Sequence, residues 1–280
     1  MTGRLPLDGA RCIVTGANSG IGREIATALA RDGAAVTLVC RSRERGEDAA
    51  SAIRGATGNP RVELAVCDVG DPVAVRTCCD TMRWGGRIDV LVNNAGIYAP
   101  RRSVTPEGRE LMLAVNHLGP FLMTNLLLEQ LDGARVVTTS SAAHAFARLD
   151  LDDLDAVRRF SAWRQYGVTK LANILFTREL ARRAPGIVAT CFHPGAVGSE
   201  FGQDEPGAMR VAMRLAKRFL RTPARGADSG IWLATAPEAA SLSGQYVVDR
   251  RVRTPRGQGT DDSLAAELWR ISERLVGLAA

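Results

Sequence analysis

The stretch that most constrains the fold of this chain is a glycine-rich turn, Thr15-Gly16-Ala17-Asn18-Ser19-Gly20-Ile21-Gly22. A short apolar run of strand character, Arg11 to Val14, precedes the turn, and residues 23–30 carry apolar side chains at helical spacing. Strand, glycine turn and helix together form the geometry that grips a dinucleotide, because the helix N-terminus offers free N–H groups to phosphates. The spacing is Gly-x-x-x-Gly-x-Gly, and such a turn alone also occurs without any ligand.

Each glycine of this turn has a separate expected task. Gly16 lets the chain turn sharply, Gly20 lets the backbone approach a pyrophosphate, and Gly22 lets helix and strand pack closely. The candidate cofactor-binding residues of the turn are Gly16, Asn18, Ser19, Gly20, Ile21 and Gly22.

Composition excludes several other classes of protein. The 280 residues are 46% hydrophobic and 24% charged, which indicates a globular chain and not a disordered one. The net charge is +6, but most basic residues are scattered singly, which argues against a nucleic-acid partner. No apolar run is long enough for a membrane span and no signal-peptide pattern is present, so we expect a cytosolic protein. The six cysteines include no Cys-x-x-Cys, so we expect reduced thiols and no metal site.

Apolar strand-like runs alternate with helical segments along the whole chain. After the first strand, such runs cover residues 34–40, 61–67, 88–92, 134–139, 187–192 and 244–248. This alternation predicts an α/β fold, a single doubly wound Rossmann-type domain over residues 1–280 with a seven-stranded parallel sheet covered on both faces. The ligand crevice of such a sheet lies at the carboxyl ends of its strands, where the strand order reverses.

The second strand ends at Cys40-Arg41, about twenty residues after the glycine turn. An acidic residue there would bind the ribose 2′-hydroxyl of NAD, whereas the Arg41 guanidinium would pair with the 2′-phosphate of NADP. We therefore expect NADP(H) to be preferred over NAD(H). The alternative is that Arg41 is a solvated residue at the start of the next helix.

Polar residues also follow the third and fourth strands. Asp68-Val69 follows the third strand, where the aspartate is placed either to accept from an adenine amino group or to cap the helix that starts near Asp71-Pro72. Asn93-Asn94-Ala95-Gly96 follows the fourth. A long helix is then predicted over residues 106–129, and it contains Asn116, an unfavourable residue for a helix interior that needs another explanation.

Two candidate catalytic residues lie in the helix predicted over residues 161–183. Tyr166 and Lys170 are four residues apart and share one face. A nearby ammonium group favours phenolate, so we expect the pKa of Tyr166 to be lowered toward working pH. Ser141, after the fifth strand, could polarise a carbonyl group across from the phenol. With a dinucleotide as hydride carrier, these groups make a carbonyl/alcohol oxidoreductase.

In this order and spacing, the motifs resemble those of the short-chain dehydrogenase/reductases over essentially the whole chain. The matching positions are Thr15–Gly22, Asn93–Gly96, Asn116, Ser141, Tyr166 with Lys170, and Pro194-Gly195. Details resemble the retinol-dehydrogenase-like branch: residues 116–121, 140–144, 170–176 and 268–273, and the long connection from Ser141 to Tyr166.

The resemblance implies a role for each of these residues. Tyr166 would be the acid in reduction and the base in oxidation, Lys170 would hold the nicotinamide ribose, and Ser141 would orient the substrate oxygen. Asn116 would hold its helix open around a water that leads from Lys170 to solvent. The remaining implied cofactor contacts are Asn94 to the adenosine ribose, Asp68 and Val69 to the adenine, and Val197 and Ser199 to the carboxamide and phosphates.

The predicted activity is NADP(H)-dependent reduction of a ketone or aldehyde, or oxidation of the corresponding alcohol. The alternatives are a catalytically silent cofactor sensor and a membrane-docking scaffold on the same fold. Family habit favours a dimer or tetramer, although retinol-dehydrogenase-like members vary.

Residues 205–221 form an amphipathic segment with apolar residues at three- and four-residue steps and five basic residues. The family resemblance places the substrate lid here, and the lid's methionines and Phe219 would favour a bulky, largely apolar carbonyl compound. A plain surface helix or a helix on a membrane surface are the alternatives. Residues 250–280 form a C-terminal extension.

Overall fold

One β-sheet organises the computed structural model of this chain, which describes residues 7–196 and 221–278. The strand order is β3-β2-β1-β4-β5-β6-β7-β8, in which β1 to β7 are parallel and β8 is antiparallel to β7. The strands are β1 (Arg11–Thr15), β2 (Ala35–Cys40), β3 (Val62–Val66), β4 (Val90–Asn93), β5 (Arg135–Thr139), β6 (Val188–His193), β7 (Tyr246–Val248) and β8 (Arg251–Arg253).

The prediction of a doubly wound α/β sheet is confirmed, but the number of strands was wrong by one. The strand that was missed, β8, pairs with β7 through a tight hairpin at Asp249 and Arg250, whose φ angles are 51° and 57°. Positive φ at both central residues is typical of hairpin turns, which usually carry Asn-Gly or Asp-Gly. Asp-Arg gives no such signal, and a strand whose three residues are all exposed shows no apolar run.

Helices cover both faces of the sheet, as predicted. They are α1 (Gly20–Arg31), α2 (Arg43–Thr57), α3 (Pro72–Arg83), α4 (Leu111–Leu113), α5 (Gly119–Leu126), α6 (Ala162–Arg183), α7 (Pro223–Thr235) and α8 (Asp262–Leu275). One hydrophobic cluster joins the sheet to α1, α2 and α7, and a second joins it to α3, α5, α6 and α8.

The strands supply both clusters because successive side chains point to opposite faces. Ile13 and Leu91 are fully buried on the α6 face, and their chain neighbours Val14 and Val92 are fully buried on the α1 face. Burial on both faces explains why these strands read as continuous apolar runs in the sequence.

The long helix predicted over residues 106–129 was wrong at its start and in its regularity. Gly108 adopts a φ of 79° in a tight turn that is closed by a bridge between Val104 and Glu110. The Glu110 carboxylate accepts hydrogen bonds from the amides of Met112 (3.0 Å) and Leu113 (2.8 Å), so the helix begins only at Leu111. A π-helical turn, Ala114–Leu118, then separates α4 from α5.

The strand order reverses between β1 and β4, since the chain builds outward from β1 through β2 to β3 and then returns to place β4 on the other side of β1. A crevice at the carboxyl ends of the strands follows from this reversal. The glycine turn after β1 and the asparagine pair after β4 both lie there.

Membrane spans and metal sites were both expected to be absent. Across residues 7–196 and 221–278, no helix has the length and apolarity needed to cross a bilayer. The same residues contain no group of His, Cys, Asp or Glu side chains that could hold a metal ion. The six cysteines are free and buried.

Candidate active site

The glycine turn packs tightly on one side and is open on the other. Gly16 has a φ of 65°, and a Cβ at this position would lie 2.9 Å from the Cα of Ala95. A Cβ on Gly22 would overlap the carbonyl oxygen of Gly16 and lie 2.5 Å from the side-chain nitrogen of Asn94. At Gly20, by contrast, a Cβ would meet nothing within 4 Å. The turn therefore combines close packing of α1 with open space above its first residue.

The start of α1 is built to receive an anion. Its N-cap residue, Ser19, makes no side-chain hydrogen bond to the first turn, and no acidic residue stands in that turn. Helices α2, α3 and α8 instead have side-chain caps from Ser42, Asp71 and Asp261. An uncapped helix N-terminus beside open space at Gly20 fits the phosphates of a dinucleotide. A bound dinucleotide would supply the hydride for redox chemistry.

The ends of β2 and β3 lie next to this turn. The Cys40 thiol accepts hydrogen bonds from the amides of Ala17 and Asn18, which ties the end of β2 to the glycine turn. Arg41 follows directly, with 65% of its side chain exposed and a guanidinium nitrogen 4.0 Å from a carboxylate oxygen of Asp68. A loose, exposed pair of this kind contributes little stability, so Arg41 is available for a ligand.

The structure separates the two tasks that the sequence left open for the aspartates after β3. Asp71 is the cap of α3, because its carboxylate accepts from the amides of Val73 (2.8 Å) and Ala74 (3.2 Å). The Asp68 carboxylate accepts a hydrogen bond from the nearby amide of Gly70 (2.9 Å) and keeps 41% of its side chain exposed. Asp68 therefore remains a candidate for adenine contact, whereas Val69 is largely buried.

Asn94 joins the ends of three strands. Its side-chain amide donates to the carbonyl oxygen of Thr15 (3.0 Å), and its side-chain oxygen accepts from the hydroxyl of Thr139 (3.4 Å). The Thr15 hydroxyl accepts the backbone amides of Asn94 (3.0 Å) and Ala95 (2.9 Å). These contacts fix the floor of the crevice between β1, β4 and β5.

Asn116 lies in the π-helical turn, which accounts for an asparagine inside a helical segment. Its side chain brackets Ile97, accepting from the Ile97 amide (2.7 Å) and donating to the Ile97 carbonyl (3.0 Å), and it also donates to Thr169 (3.1 Å). The wide turn lets this side chain reach α6 and the segment after β4 together, a common use of π turns at functional sites.

Ser141 and Tyr166 lie side by side. A hydrogen bond joins their hydroxyl groups, and the Ser141 oxygen also accepts the amide of Ala143 (3.2 Å). The preceding residue, Ser140, is buried and donates to the carbonyl oxygen of Lys170 (2.8 Å), which ties the end of β5 to α6. The two adjacent serines therefore have different tasks, and Ser141 is the one that faces the phenol.

Lys170 completes the arrangement from the same helix as Tyr166. Its ammonium nitrogen lies 5.6 Å from the centre of the Tyr166 ring and 3.2 Å from the carbonyl oxygen of Thr139. A Cβ on Gly96 would come within 3.2 Å of this nitrogen and 3.4 Å of the Asn116 side-chain oxygen. The predicted tetrad of Asn116, Ser141, Tyr166 and Lys170 is thus brought together at one end of the sheet.

The protonation state of the phenol differs from the sequence-based expectation. Burial raises the pKa of Tyr166 to about 12, and the hydrogen bond with Ser141 lowers it only in part. Burial also lowers the pKa of Lys170 to about 8, because a cation is disfavoured in a poorly solvated site. In the protein alone, the expected lowering of the Tyr166 pKa was therefore wrong, because desolvation of the phenol is the larger cause and raises it.

The sixth strand ends beside the same site. His193 accepts a hydrogen bond at Nδ1 from the amide of Ala142 (3.2 Å), and burial, with the nearby Arg221 cation, lowers the pKa of His193 to about 4. Gly195 has a φ of 84° with the Arg221 side chain packed against it. Val197, Ser199 and residues 205–220 of the predicted lid lie outside the described residues.

Two aromatic residues beside Tyr166 were missed by sequence reasoning. The Tyr98 ring contacts the Tyr166 ring edge to face at 6.0 Å, and the Trp163 ring lies 6.2 Å from the Tyr166 ring at 31°. The spacing of Trp163, one helical turn before Tyr166, is a signal that could have identified it. Tyr98 has no such signal, since its position depends on the hydrogen bonds that the Asn116 side chain makes with the backbone of Ile97.

This geometry fits a dinucleotide-dependent oxidoreductase. The chain belongs to the short chain dehydrogenase family, which matches residues 10–208, and it is an NAD(P)-dependent enzyme that acts on CH–OH and C=O groups.

Relatives place it within the retinol-dehydrogenase-like branch. The chain is 39% identical to retinol dehydrogenase 11 of Mus musculus over 99% of this chain and 89% of the relative. It is 40% identical to a protein of Streptomyces sp. (strain C5), provisionally named daunorubicin C-13 ketoreductase DnrU, over 97% of this chain and 94% of that protein. A crystal structure of a short chain dehydrogenase from Burkholderia cenocepacia J2315 in complex with NADP is similar at a TM-score of 0.69, with 30% identity over 86% of this chain and 96% of the other.

Proposed function

We propose that this enzyme uses NADP(H) to reduce a ketone or aldehyde of a bulky, largely apolar small molecule, or to oxidise the corresponding alcohol. The observation that carries the proposal is the hydrogen-bonded pair of Ser141 and Tyr166 hydroxyls beside the Lys170 ammonium, at the carboxyl edge of the sheet. A carbonyl oxygen bound against this pair would receive a hydrogen bond from Ser141 and a proton from Tyr166.

The other tetrad residues position this pair. Lys170 is held by the Thr139 carbonyl, from where it would bind the nicotinamide ribose, and Asn116 fixes the segment of Ile97 opposite. The glycine turn, with residues 18–22, would bind the pyrophosphate, Asn94 the adenosine ribose, and Asp68 and Val69 the adenine. The Val197 and Ser199 contacts stay part of the proposal on the family resemblance alone.

Substrate size is inferred from the relatives. One is named for retinol and another, provisionally, for a ketone of daunorubicin. Both names support a large organic substrate for this chain.

The experiment is a turnover assay that follows NADPH absorbance with a panel of ketones and aldehydes, on the natural chain and on Tyr166→Phe. This substitution keeps the ring and removes the proton donor, so turnover should fall by about 10²–10⁴-fold. NADPH affinity, measured by fluorescence titration, should be retained. A Tyr166→Phe variant with near-normal turnover would exclude the phenol as the acid, and a natural chain that binds NADPH but reduces no carbonyl would be a cofactor sensor.

Cofactor preference rests on Arg41, which is exposed at the end of β2 and joined to the glycine turn through Cys40. A hydrogen bond to a charged group contributes about 1.5–3 kcal/mol. Arg41→Ala should therefore weaken NADP(H) binding by roughly ten- to a hundredfold and weaken NAD(H) binding much less. Equal losses for the two cofactors, measured as dissociation constants, would show that Arg41 is a solvated surface residue.

The proposal includes a cytosolic location and, on family habit alone, a dimer or tetramer, although retinol-dehydrogenase-like members vary. Six free, buried cysteines suit a reducing compartment. Cell fractionation and light scattering test the two statements separately.

A further inference from the structure

Two aromatic side chains from different parts of the chain contact the ring of Tyr166. Tyr98 belongs to the segment after β4, and Trp163 to the first turn of α6. The Tyr98 ring stands at 74° to the Tyr166 ring, whereas the Trp163 ring is inclined by only 31° to it. The Tyr166 ring therefore has one edge-to-face neighbour, Tyr98, and one tilted neighbour, Trp163.

The backbone on both sides holds these rings in place. The Asn116 side chain grips both polar atoms of the Ile97 peptide, and Ile97 is the residue before Tyr98. Trp163 stands three residues before Tyr166 on a regular helix, so its direction relative to the phenol is set by helix geometry. Such fixed rings lose little conformational freedom when a ligand binds.

Trp163 is also unusually open to solvent. Its relative exposure is 55%, although indole is among the side chains with the most apolar surface to bury. An exposed aromatic face next to the reacting atoms favours the binding of a flat aromatic or conjugated ligand. Offset stacking adds binding free energy beyond that gained from burying the ligand's apolar area. A saturated ring system of the same size gains the area but not the stacking.

We propose that Trp163 and Tyr98 form an aromatic clamp that makes this enzyme selective for carbonyl compounds whose C=O is attached to a planar aromatic or conjugated ring system. The inference rests on the proposed carbonyl reductase function and adds the substrate class. Trp163 would contribute the stacking face, and Tyr98, edge-on to the phenol ring, would contribute the second aromatic contact. Both are specificity-determining residues, distinct from the tetrad that handles the proton.

The test compares two ketones of nearly equal size, 2-acetylnaphthalene and its saturated counterpart 2-acetyldecalin, with NADPH as the reductant. The natural chain should have the higher kcat/KM for the naphthyl ketone. Trp163→Ala should lower the naphthyl-to-decalyl ratio of kcat/KM by about two- to tenfold, mainly through KM. Trp163→Phe, which keeps an aromatic ring, should keep most of the ratio of the natural chain. Tyr98→Leu should lower the same ratio.

Trp84 provides the matched control. It is 91% exposed at the end of α3, shortly before β4 begins, and so lies near the amino ends of the strands and away from the candidate site. Trp84→Ala should leave the ratio unchanged, and melting temperature and NADPH affinity show whether each variant is folded. A natural chain that reduces both ketones with equal efficiency, or a ratio that Trp163→Ala and Tyr98→Leu leave unaltered, overturns the clamp while the reductase function stands. A natural chain that reduces no ketone or aldehyde of any kind overturns the function itself, and the clamp with it.

Discussion

At Tyr166 the protein alone keeps the proton on the phenol. Partial burial raises its pKa to about 12, and the Ser141 hydroxyl lowers it only in part. A neutral phenol is the form needed to protonate a carbonyl oxygen as hydride arrives. The oxidised dinucleotide carries a positively charged ring, which would favour phenolate for the reverse reaction. In the proposed mechanism, the direction of proton transfer would thus be set by the complex with the dinucleotide and not by the side chains alone.

Lys170 gives a prediction about stability and pH. The residue is 2% exposed, and burial lowers the pKa of its amine to about 8 from the ordinary value of 10.5. Between these two pH values the unfolded chain binds more protons at Lys170 than the folded chain does. The free energy of unfolding therefore rises with pH, and the folded protein becomes more stable. Relative to Lys170→Met, the natural chain should gain about 2 kcal/mol between pH 8 and pH 10.

Urea unfolding of both chains at the two pH values, with a thiol reductant present, measures this difference. Comparing the two chains cancels the titration of the buried cysteines. A difference that does not change with pH would mean that Lys170 keeps its ordinary pKa in the folded protein.

At the scale of elements, α8 packs directly on α6 and also contacts the π-helical turn. Trp269 of α8 stacks on Phe176 of α6 at 5.8 Å and meets Phe121 of α5 edge on at 4.8 Å. His117, next to Asn116 in the π turn, is fully buried, and its Nε2 lies 3.0 Å from the Ser272 hydroxyl of α8. The C-terminal helix therefore supports the elements that hold the tetrad.

Ser272→Ala tests this support. The substitution leaves a buried imidazole nitrogen without its hydroxyl partner, which should lower the free energy of unfolding by about 1–3 kcal/mol in urea titrations. Ser51→Ala, at an exposed site in α2, is the matched control and should change stability by less than about 0.5 kcal/mol. Similar small effects of the two substitutions would show that the His117–Ser272 contact carries no stability.

Sequence reasoning found the elements whose signals are local. The seven parallel strands are apolar runs, and the tetrad and the glycine turn have characteristic spacings. The π turn could not be predicted, because a helical turn widened by one residue leaves the apolar pattern almost unchanged. Strand β8 has no apolar pattern, and the Tyr98 contact with Tyr166 depends on tertiary packing through Asn116. The pKa of Tyr166 was predicted in the wrong direction because burial cannot be read from a spacing of four residues.

At the scale of the whole molecule, the crevice joins the two halves of the sheet. The glycine turn and Arg41 belong to the β1–β3 half, whereas Asn94, Ser141 and Tyr166 belong to elements from β4 onward. Gly22 lies where the halves meet, since a Cβ there would overlap Gly16 on one side and Asn94 on the other. A dinucleotide bound in this crevice would contact both halves, so its binding should stabilise the fold as a whole.

Thermal unfolding with and without NADPH measures that stabilisation. NADPH at about a hundred times its dissociation constant should stabilise the folded chain by about 2.7 kcal/mol and raise its melting temperature by about 5 °C. Gly22→Ala should abolish most of this rise, because the methyl group forces α1 away from the end of β1 and displaces the phosphate-binding N–H groups. Gly55→Ala is the control, since its Cβ would meet nothing within 4 Å and alanine suits a helix interior. Scanning fluorimetry with and without NADPH should show the full rise in Gly55→Ala even though its starting melting temperature is higher. If Gly22→Ala keeps the full rise at the same NADPH concentration, the phosphates bind elsewhere than at the start of α1.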